Sequence, residues 1–531
     1  MRARADATEI GETSTFRCSC FGPKAISLQT ATTTHVKTLS EKSERRISKA
    51  GSLDRLLARD PDPQPAIDYA RAGRKRFVSE LTEFLRFPSV SSQSERAGDV
   101  RECAAWLARH LKKIGLNNAR VIPTRRNPIV YASWRRAAGR PTLIIYGHYD
   151  VLPGEPLKDW ATPPFSPTVK NNNLHGRGAA DDKGQLFCHV KAIESYLKTR
   201  GALPVNVICL FEGEEEIGSP NLAPFVERNR RALNAVAAVI SDTRMISATQ
   251  PAISYAQRGG LRAEIEIFGP PHELHSGAFG GAVHNPALAL CDVVAGLHDE
   301  RGRVTIPGFY SDVRAGSEKE RAFMARSGPS DQEILRSAKV ETGWGEPGYS
   351  LYERTTIRPD LTVNGIVGGH TGQGVKGVIP ARALAKVSFR LVPDQRPEKI
   401  AQLFREHIAR ATPATVRSTV RTMSPIRPAL INRSHPAVQA ATQAYRKVFG
   451  VLPVLVRSGG SIPVVHIFQN VLEIPAVLMG FGLPDDNIHG PNEKFHLPIF
   501  LKAIETSIWY LALASRLAAS SENPRRGEWS A

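Results

Sequence analysis

The sequence predicts an α/β fold, a mostly parallel sheet flanked by helices, built from two chain segments with a smaller α+β domain inserted between them. Three observations predict it. Short apolar runs at 142–146, 205–211 and 236–241 alternate with helical periodicity, the pattern of strands buried on both faces. After Tyr255 the pattern becomes strict alternation, with Leu261, Ala263, Ile265 and Ile267 on one side, as in a sheet with one solvated face. From about 430 the helix–strand alternation returns, so the first domain closes after the second has been made.

Taken in order, residues 1–65 are rich in Ser, Thr, Arg and Lys and lack hydrophobic periodicity. They end in Asp60-Pro61-Asp62-Pro63-Gln64-Pro65 and read as a disordered extension. No apolar h-region follows Met1, and acidic residues argue against a transit peptide. Order is expected from Ala66. Val100, Cys103, Ala104, Leu107, Leu111 and Ile114 recur at helical spacing, and Gly115 can end that helix. The strand at 142–146 follows, then a helix through Leu186, Val190, Ile193 and Leu197, closed near Gly201. With the strands at 205–211 and 236–241, these form the first catalytic segment, 66–255. The inserted domain, 256–427, holds the alternating run, a helix at 286–297, a strand at 384–391, a helix at 397–410 and a strand at 415–422. A Gly- and charge-rich excursion occupies about 300–350. The second catalytic segment, 428–520, carries a helix at 437–448, strands at 454–456 and 476–479, and a last helix from about 498. Residues 521–531 form a tail.

Composition limits the function classes. A chain of 531 residues exceeds one ordinary domain, and 41% hydrophobic with 23% charged residues excludes wholesale disorder. The 70 Lys and Arg outnumber the 51 Asp and Glu, a net charge of +19. Nucleic acid is not expected as a partner: Arg74-Lys75-Arg76 reads as the solvated start of a helix, and no aromatic-interleaved basic stripe accompanies it. Nor is a membrane, since no uninterrupted apolar stretch approaches a span of about 18 residues. Six scattered cysteines without a CxxC pair fit a reducing, cytoplasmic compartment.

The chemistry gathers where predicted strands end, the place where open α/β sheets build their sites. Gly147-His148-Tyr149-Asp150 follows the first strand, Glu212-Gly213-Glu214-Glu215-Glu216 the second and Ser241-Asp242 the third. Gly178-Ala179-Ala180-Asp181-Asp182-Lys183-Gly184 precedes a helix, and Asp485-Asp486-Asn487-Ile488-His489 follows 476–479. Imidazoles and several carboxylates on one sheet edge repel unless cations neutralise them. A donor set of imidazole and carboxylate without thiolate suits Zn²⁺, Mn²⁺ or Co²⁺, and the number of carboxylates suits two metals sharing an Asp. In an extended segment residues two apart point the same way. Asp150 can therefore accept the other ring N–H of His148 and fix its tautomer. Of the adjacent Glu215 and Glu216, one can bind metal while the other stays free as a base.

These residues carry a resemblance. Gly147-His-Tyr-Asp-Val-Leu-Pro153, Gly176-Arg-Gly-Ala-Ala-Asp-Asp-Lys-Gly184, Glu212-Gly-Glu-Glu-Glu-Ile-Gly-Ser219, Leu274-His-Ser-Gly277, Ser388-Phe-Arg-Leu-Val-Pro393, Gly459-Gly-Ser-Ile-Pro463 and Asp485-Asp-Asn-Ile-His-Gly-Pro-Asn-Glu-Lys494 occur in order over about 66–520. The chain thereby resembles the M20 family of dinuclear zinc aminoacylases and peptidases, above all its carnosinase-like and cytosolic non-specific dipeptidase branch. The resemblance implies a hydrolase with two divalent metal ions, zinc foremost. His148, Asp181 and Asp242 would hold one, and Asp181, Glu216 and His489 the other, with a cis peptide between Asp181 and Asp182. Glu215 would be the general base and Asp150 the support of His148. Arg390 would bind the substrate's terminal carboxylate, and Ser461 with the backbone at Gly460 would contact substrate. His275 would help polarise the scissile carbonyl from the neighbouring subunit, which makes the inserted domain a lid and dimerisation domain and the protein a homodimer.

One position departs from the branch: Gly377 stands before Val378-Ile379-Pro380 where a Thr is frequent, so a hydroxyl contact to substrate is missing. The expected activity is hydrolysis of an amide bond in a small carboxylate-bearing peptide. The nearest rival is deacylation of an N-acyl amino acid, in the manner of acetylornithine or succinyl-diaminopimelate enzymes, and a distant one is a binding module without catalysis. Gly372-Gln-Gly-Val-Lys-Gly377 fits a dinucleotide fingerprint but is followed by Pro380 and a strand rather than a helix. His272-Glu-Leu-His275 is one residue short of a zincin helix motif.

Overall fold

The computed structural model describes residues 62–518; the stretch up to 61 and the tail expected at 521–531 lie outside the described residues. The main sheet has nine strands. Its centre is Asn206–Glu212, Thr142–His148, Ala237–Ile240 and Ala476–Leu478, all parallel. On one flank Ile129–Trp134 runs antiparallel to Asn206–Glu212, and on the other Ala252–Gln257 runs antiparallel to Ala476–Leu478. The sheet is therefore mixed, with the expected parallel strands at its centre and antiparallel strands on its flanks. A parallel connection needs a crossover of a dozen residues or more. Only a short loop joins Ile129–Trp134 to Thr142–His148, so that pair has opposite directions. The central register pairs His148 with Glu212 and Tyr146 with Ile240, and Ile240 with Leu478. The chain thus leaves several parallel strands at one edge.

Helix Lys183–Arg200 is buried from Lys183 to Tyr196, because helices cover it on the side away from the sheet. Leu497–Ala514 is long and apolar enough to cross a membrane by length and composition alone. Here it is a core helix, packed on Lys183–Arg200, Pro436–Phe449 and Gln64–Ala72. The first described helix, Gln64–Ala72, starts two residues before the expected onset at Ala66. Pro65 lies in its first turn, where a missing N–H costs nothing, and the Gln64 N–H donates to Asp62 Oδ1 at 3.0 Å. The end of the Pro-rich run is thus a helix start, not a linker.

The second sheet is antiparallel, in the order Asp360–Gly368, Arg382–Leu391, Gly259–Phe268, Arg417–Ile426. Ile265, Ile267, Ala385 and Val387 on its inner face pack with Phe404 and Leu290 of the helices Pro397–Ala411 and Pro286–Ala295. The other face is open. The excursion over 300–350 is not irregular throughout. It contains Glu318–Ser327 and Asp331–Ala338, and Leu351–Arg354 follows; the last two open on capping boxes from Ser330 and Ser350.

On the helical layer Glu80, His110 and Glu194 converge as metal ligands would, but an ammonium sits among them. Lys191 Nζ donates to Glu80 at 2.5 Å, Glu194 at 2.7 Å and His110 Nε2 at 2.8 Å. Burial, then the charge of Lys191, pushes His110 down to about 3 and keeps it a neutral acceptor. Removing one member of such a buried set strands the others. Lys191→Met is expected to destabilise the fold by about 3–5 kcal/mol in urea titration. A loss under about 1 kcal/mol, the range of exposed pairs, would show that the cluster is effectively solvated.

Candidate active site

Five segments deliver their side chains to one place. His148 ends strand Thr142–His148, and Gly147 before it has no side chain because a Cβ there would stand 2.7 Å from Asp182 Oδ2 and 2.9 Å from Leu186 Cδ1. That closeness lets Asp182 Oδ2 accept the His148 backbone N–H at 3.2 Å. Asp181 and Asp182, joined by a cis peptide, lead into helix Lys183–Arg200. Glu215 and Glu216 lie on the short turn after Asn206–Glu212, Asp242 follows Ala237–Ile240, and His489 lies in the loop before Lys494–His496.

The contacts define two groups sharing one carboxylate. His148 Nε2 is 3.1 Å from Asp181 Oδ1 and 3.9 Å from Asp242 Oδ2. His489 Nε2 is 2.9 Å from Asp181 Oδ2 and 3.6 Å from Glu216 Oε2. In each triad the candidate donor atoms lie within 4.8 Å of one another. Asp150 is fully buried behind them, with Oδ1 3.4 Å from His148 Nδ1. Its two oxygens also accept the backbone N–H groups of Glu215 and Glu216, both at 3.2 Å. Asp150 therefore orients the imidazole, through its backbone carbonyl 3.1 Å from His148 Nδ1 as well as its carboxylate, and fixes the turn that presents both glutamates.

The electrostatics test whether cations fit. Burial, then the Asp181 charge, raises Asp242 to about 7. Burial chiefly, with neighbouring carboxylates behind it, raises Glu215 and Glu216 well above the ordinary range. Burial acts the same way on Asp181, but hydrogen bonds with His148 and His489 outweigh it and hold that group low. Protein groups alone thus keep one carboxylate of the set ionised and push three toward neutrality. Divalent cations would let all of them ionise, and the all-nitrogen-and-oxygen donor set suits Zn²⁺, Mn²⁺ or Co²⁺.

A cleft opens over the cluster. One cavity of about 600 Å³ is lined by Glu215, Glu216, His489, Gly460, Ser461 and Arg390 among others. Arg390 donates to Ser461 Oγ at 3.1 Å, and Ser461 in turn donates to the Arg258 carbonyl at 2.6 Å. His275 is not among the residues the single chain brings here. It is exposed, in a two-residue strand Leu274–His275 paired with Val378–Ile379, and its Nδ1 accepts the Gly277 N–H at 3.1 Å. Gly377 lies beside it: its carbonyl accepts the Ser276 N–H, and a Cβ on it would meet Ser276 Oγ at 3.1 Å.

Two residues without a role in the sequence reading support the candidate ligands. Glu493 is fully buried and accepts four hydrogen bonds, from Ala180 N at 2.9 Å, Asp181 N at 3.1 Å, Gly178 N at 3.0 Å and Arg177 Nη1 at 2.9 Å. The loop that carries His489 thereby also clamps the loop that carries Asp181. His189, whose imidazole burial pushes down to about 4, lies 2.7 Å from Ser241 Oγ. Ser241 donates to the Met479 carbonyl, so His189 Nε2 is the donor, and this chain fixes the residue before Asp242. Glu493 stands inside a motif the sequence displays, but its burial depends on the 176–182 loop folding over it. Glu493→Gln is expected to weaken metal binding by about 10–100-fold in chelator competition, the range for residues that support ligands. An unchanged metal affinity would make the clamp irrelevant to the site.

A shared-carboxylate donor set, buried or half-buried except for the exposed His489, at the edge of an α/β sheet, with a free glutamate over it and an arginine across the cleft, defines a metallohydrolase. Residues 144–512 match the model of peptidase family M20/M25/M40, and the chain belongs to that family: it is a metallopeptidase. It is 30% identical to the Cys-Gly metallodipeptidase of Schizosaccharomyces pombe over 82% of this chain and 95% of that protein. It is also 30% identical to human beta-Ala-His dipeptidase over 84% of this chain and 92% of that protein. Among solved structures it resembles the M20 metallo-carboxypeptidase of Sulfolobus solfataricus, with a TM-score of 0.76 and 33% identity over 83% of this chain and 99% of that one.

Proposed function

We propose that the protein is a two-metal dipeptidase, and the observation that carries this is Asp181, shared between two three-residue donor groups. His148, Asp181 and Asp242 would hold one ion and Asp181, Glu216 and His489 the other. Bound divalent ions, zinc first with manganese or cobalt as alternatives, would supply Lewis acidity to the scissile carbonyl and lower the pKa of the attacking water. Glu215, outside both donor groups and held over them by Asp150, takes the proton from water at its carboxylate. It then gives that proton to the leaving amine. Arg390 presents a fork to the substrate's terminal carboxylate, and Ser461 and Gly460 line the same cavity and set its direction.

His275 completes the site from a second copy of the chain. The basis is its exposure on the inserted domain, 256–427, and its separation from the cluster within one chain. The protein is accordingly a homodimer. Free Cys103, Cys188 and Cys209, all buried, fit a cytoplasmic setting. The relatives named as dipeptidases favour a dipeptide over an N-acyl amino acid. A panel of dipeptides set against N-acetyl and N-succinyl amino acids tests this. Turnover confined to dipeptides is expected, and turnover confined to the acylated amino acids would replace the proposal with deacylation.

A further inference from the structure

Arg390 has a neighbour of like charge that the catalytic scheme does not use. On the open face of the second sheet Arg390 stands opposite Gly260, and two pairs further along, on the same face, Arg262 stands opposite Ser388. Arg262 and Arg390 are both exposed and both line the cavity that contains Glu215, Glu216 and His489. Diagonal same-face neighbours on adjacent strands are about 7–8 Å apart, within reach of long side chains. Gly260 puts no side chain into the space between them. Among the described residues neither arginine is in an ion pair: Asp360, opposite Arg390 in the register, acts on its charge from beyond ion-pair distance and accepts from Thr362 Oγ1 at 2.8 Å, and Glu264 is engaged by Arg421 at 2.8 Å and Lys386 at 4.0 Å. Burial of the guanidinium is the main cause lowering the pKa of Arg390; the charge of Arg262 adds to it and that of Asp360 opposes it. Two unneutralised cations facing one cavity are relieved by a ligand with two anionic groups.

We propose that Arg262 binds a side-chain carboxylate on the substrate residue whose terminal carboxylate Arg390 holds, so that the preferred peptides carry Glu or Asp in the C-terminal, leaving position. The inference deepens the dipeptidase reading and rests on it. Each carboxylate would take one guanidinium, a charge-assisted contact that an amide of the same shape cannot replace.

The test compares Ala-Glu with its isostere Ala-Gln on the full-length, metal-loaded protein. The expected kcat/KM ratio favours Ala-Glu by about tenfold or more, the worth of a hydrogen-bonded charge contact, and the preference weakens as salt rises. Arg262→Gln should collapse the ratio about tenfold, mainly through KM for Ala-Glu, and Arg262→Lys should retain part of it. No preference in the wild type, or one that Arg262→Gln leaves unchanged, overturns the inference while the dipeptidase reading stands. Failure to hydrolyse either peptide overturns that reading and the inference with it.

Discussion

Glu215→Gln should retain the metal content of the wild type and lose at least about a thousandfold in kcat for a dipeptide, within the range for removing a positioned general base. The amide has the shape of the acid but cannot take a proton. Its backbone anchor survives, because Asp150 Oδ1 accepts the N–H of residue 215 whatever its side chain. Burial and the surrounding carboxylates raise the Glu215 carboxyl in the metal-free protein, so neutralising it also relieves repulsion and should leave the fold at least as stable. Metal analysis and single-turnover hydrolysis check the two halves separately. Loss of metal along with activity would make Glu215 a ligand rather than a base, and near wild-type kcat would remove it from the mechanism.

Asp181→Ala should be more damaging still to the metal centre, because it deletes the one donor common to both groups. Its two oxygens face different histidines, Oδ1 toward His148 and Oδ2 toward His489. The variant is expected to lose metal from both positions, its metal affinity falling beyond the roughly 100-fold limit expected for the supporting Glu493. Thermal unfolding gives a second readout. Added metal raises the wild-type Tm by binding only the folded state, and the same addition should leave Asp181→Ala nearly unmoved. A variant that still binds two equivalents of metal would show that the donor groups are not joined through this residue.

The parts of this architecture that sequence made legible are those where period and burial coincide. Helix Ala97–Ile114 closes at Gly115, whose φ is 121°, and helix Lys183–Arg200 closes at Gly201 with φ 65°, as their spacing and end signals suggest. Strand Asp360–Gly368 was hidden because it is a sheet edge exposed along most of its length, and a register shift between Val363 and Gly365 breaks the alternation that Leu361 and Val363 begin. The hairpin Thr168–Lys170 and Asn173–His175 is too short for periodicity. Its turn is Asn171-Asn172, both left-handed at φ 51° and 59°, the two-residue hairpin geometry that Asn tolerates.

The same distinction applies to the site. The strand-end clusters could be placed at one sheet edge because parallel strands share a direction. What the sequence could not contain was the contact made by folding back, as when Glu493 reaches the loop 178–181 across more than 300 residues. The charge balance is also clarified. The surplus of +19 coexists with an acidic centre, and part of that surplus, Arg262 and Arg390, faces the same cavity.

The proposed dipeptidase requires two ions, joined through Asp181, for peptide hydrolysis. This requirement is tested most directly by stripping the protein of metal and titrating a divalent ion back while following dipeptide turnover. No turnover is expected in the stripped protein, with a rise that levels off at two equivalents per chain. Full activity in the stripped protein, or saturation at one equivalent, would contradict it.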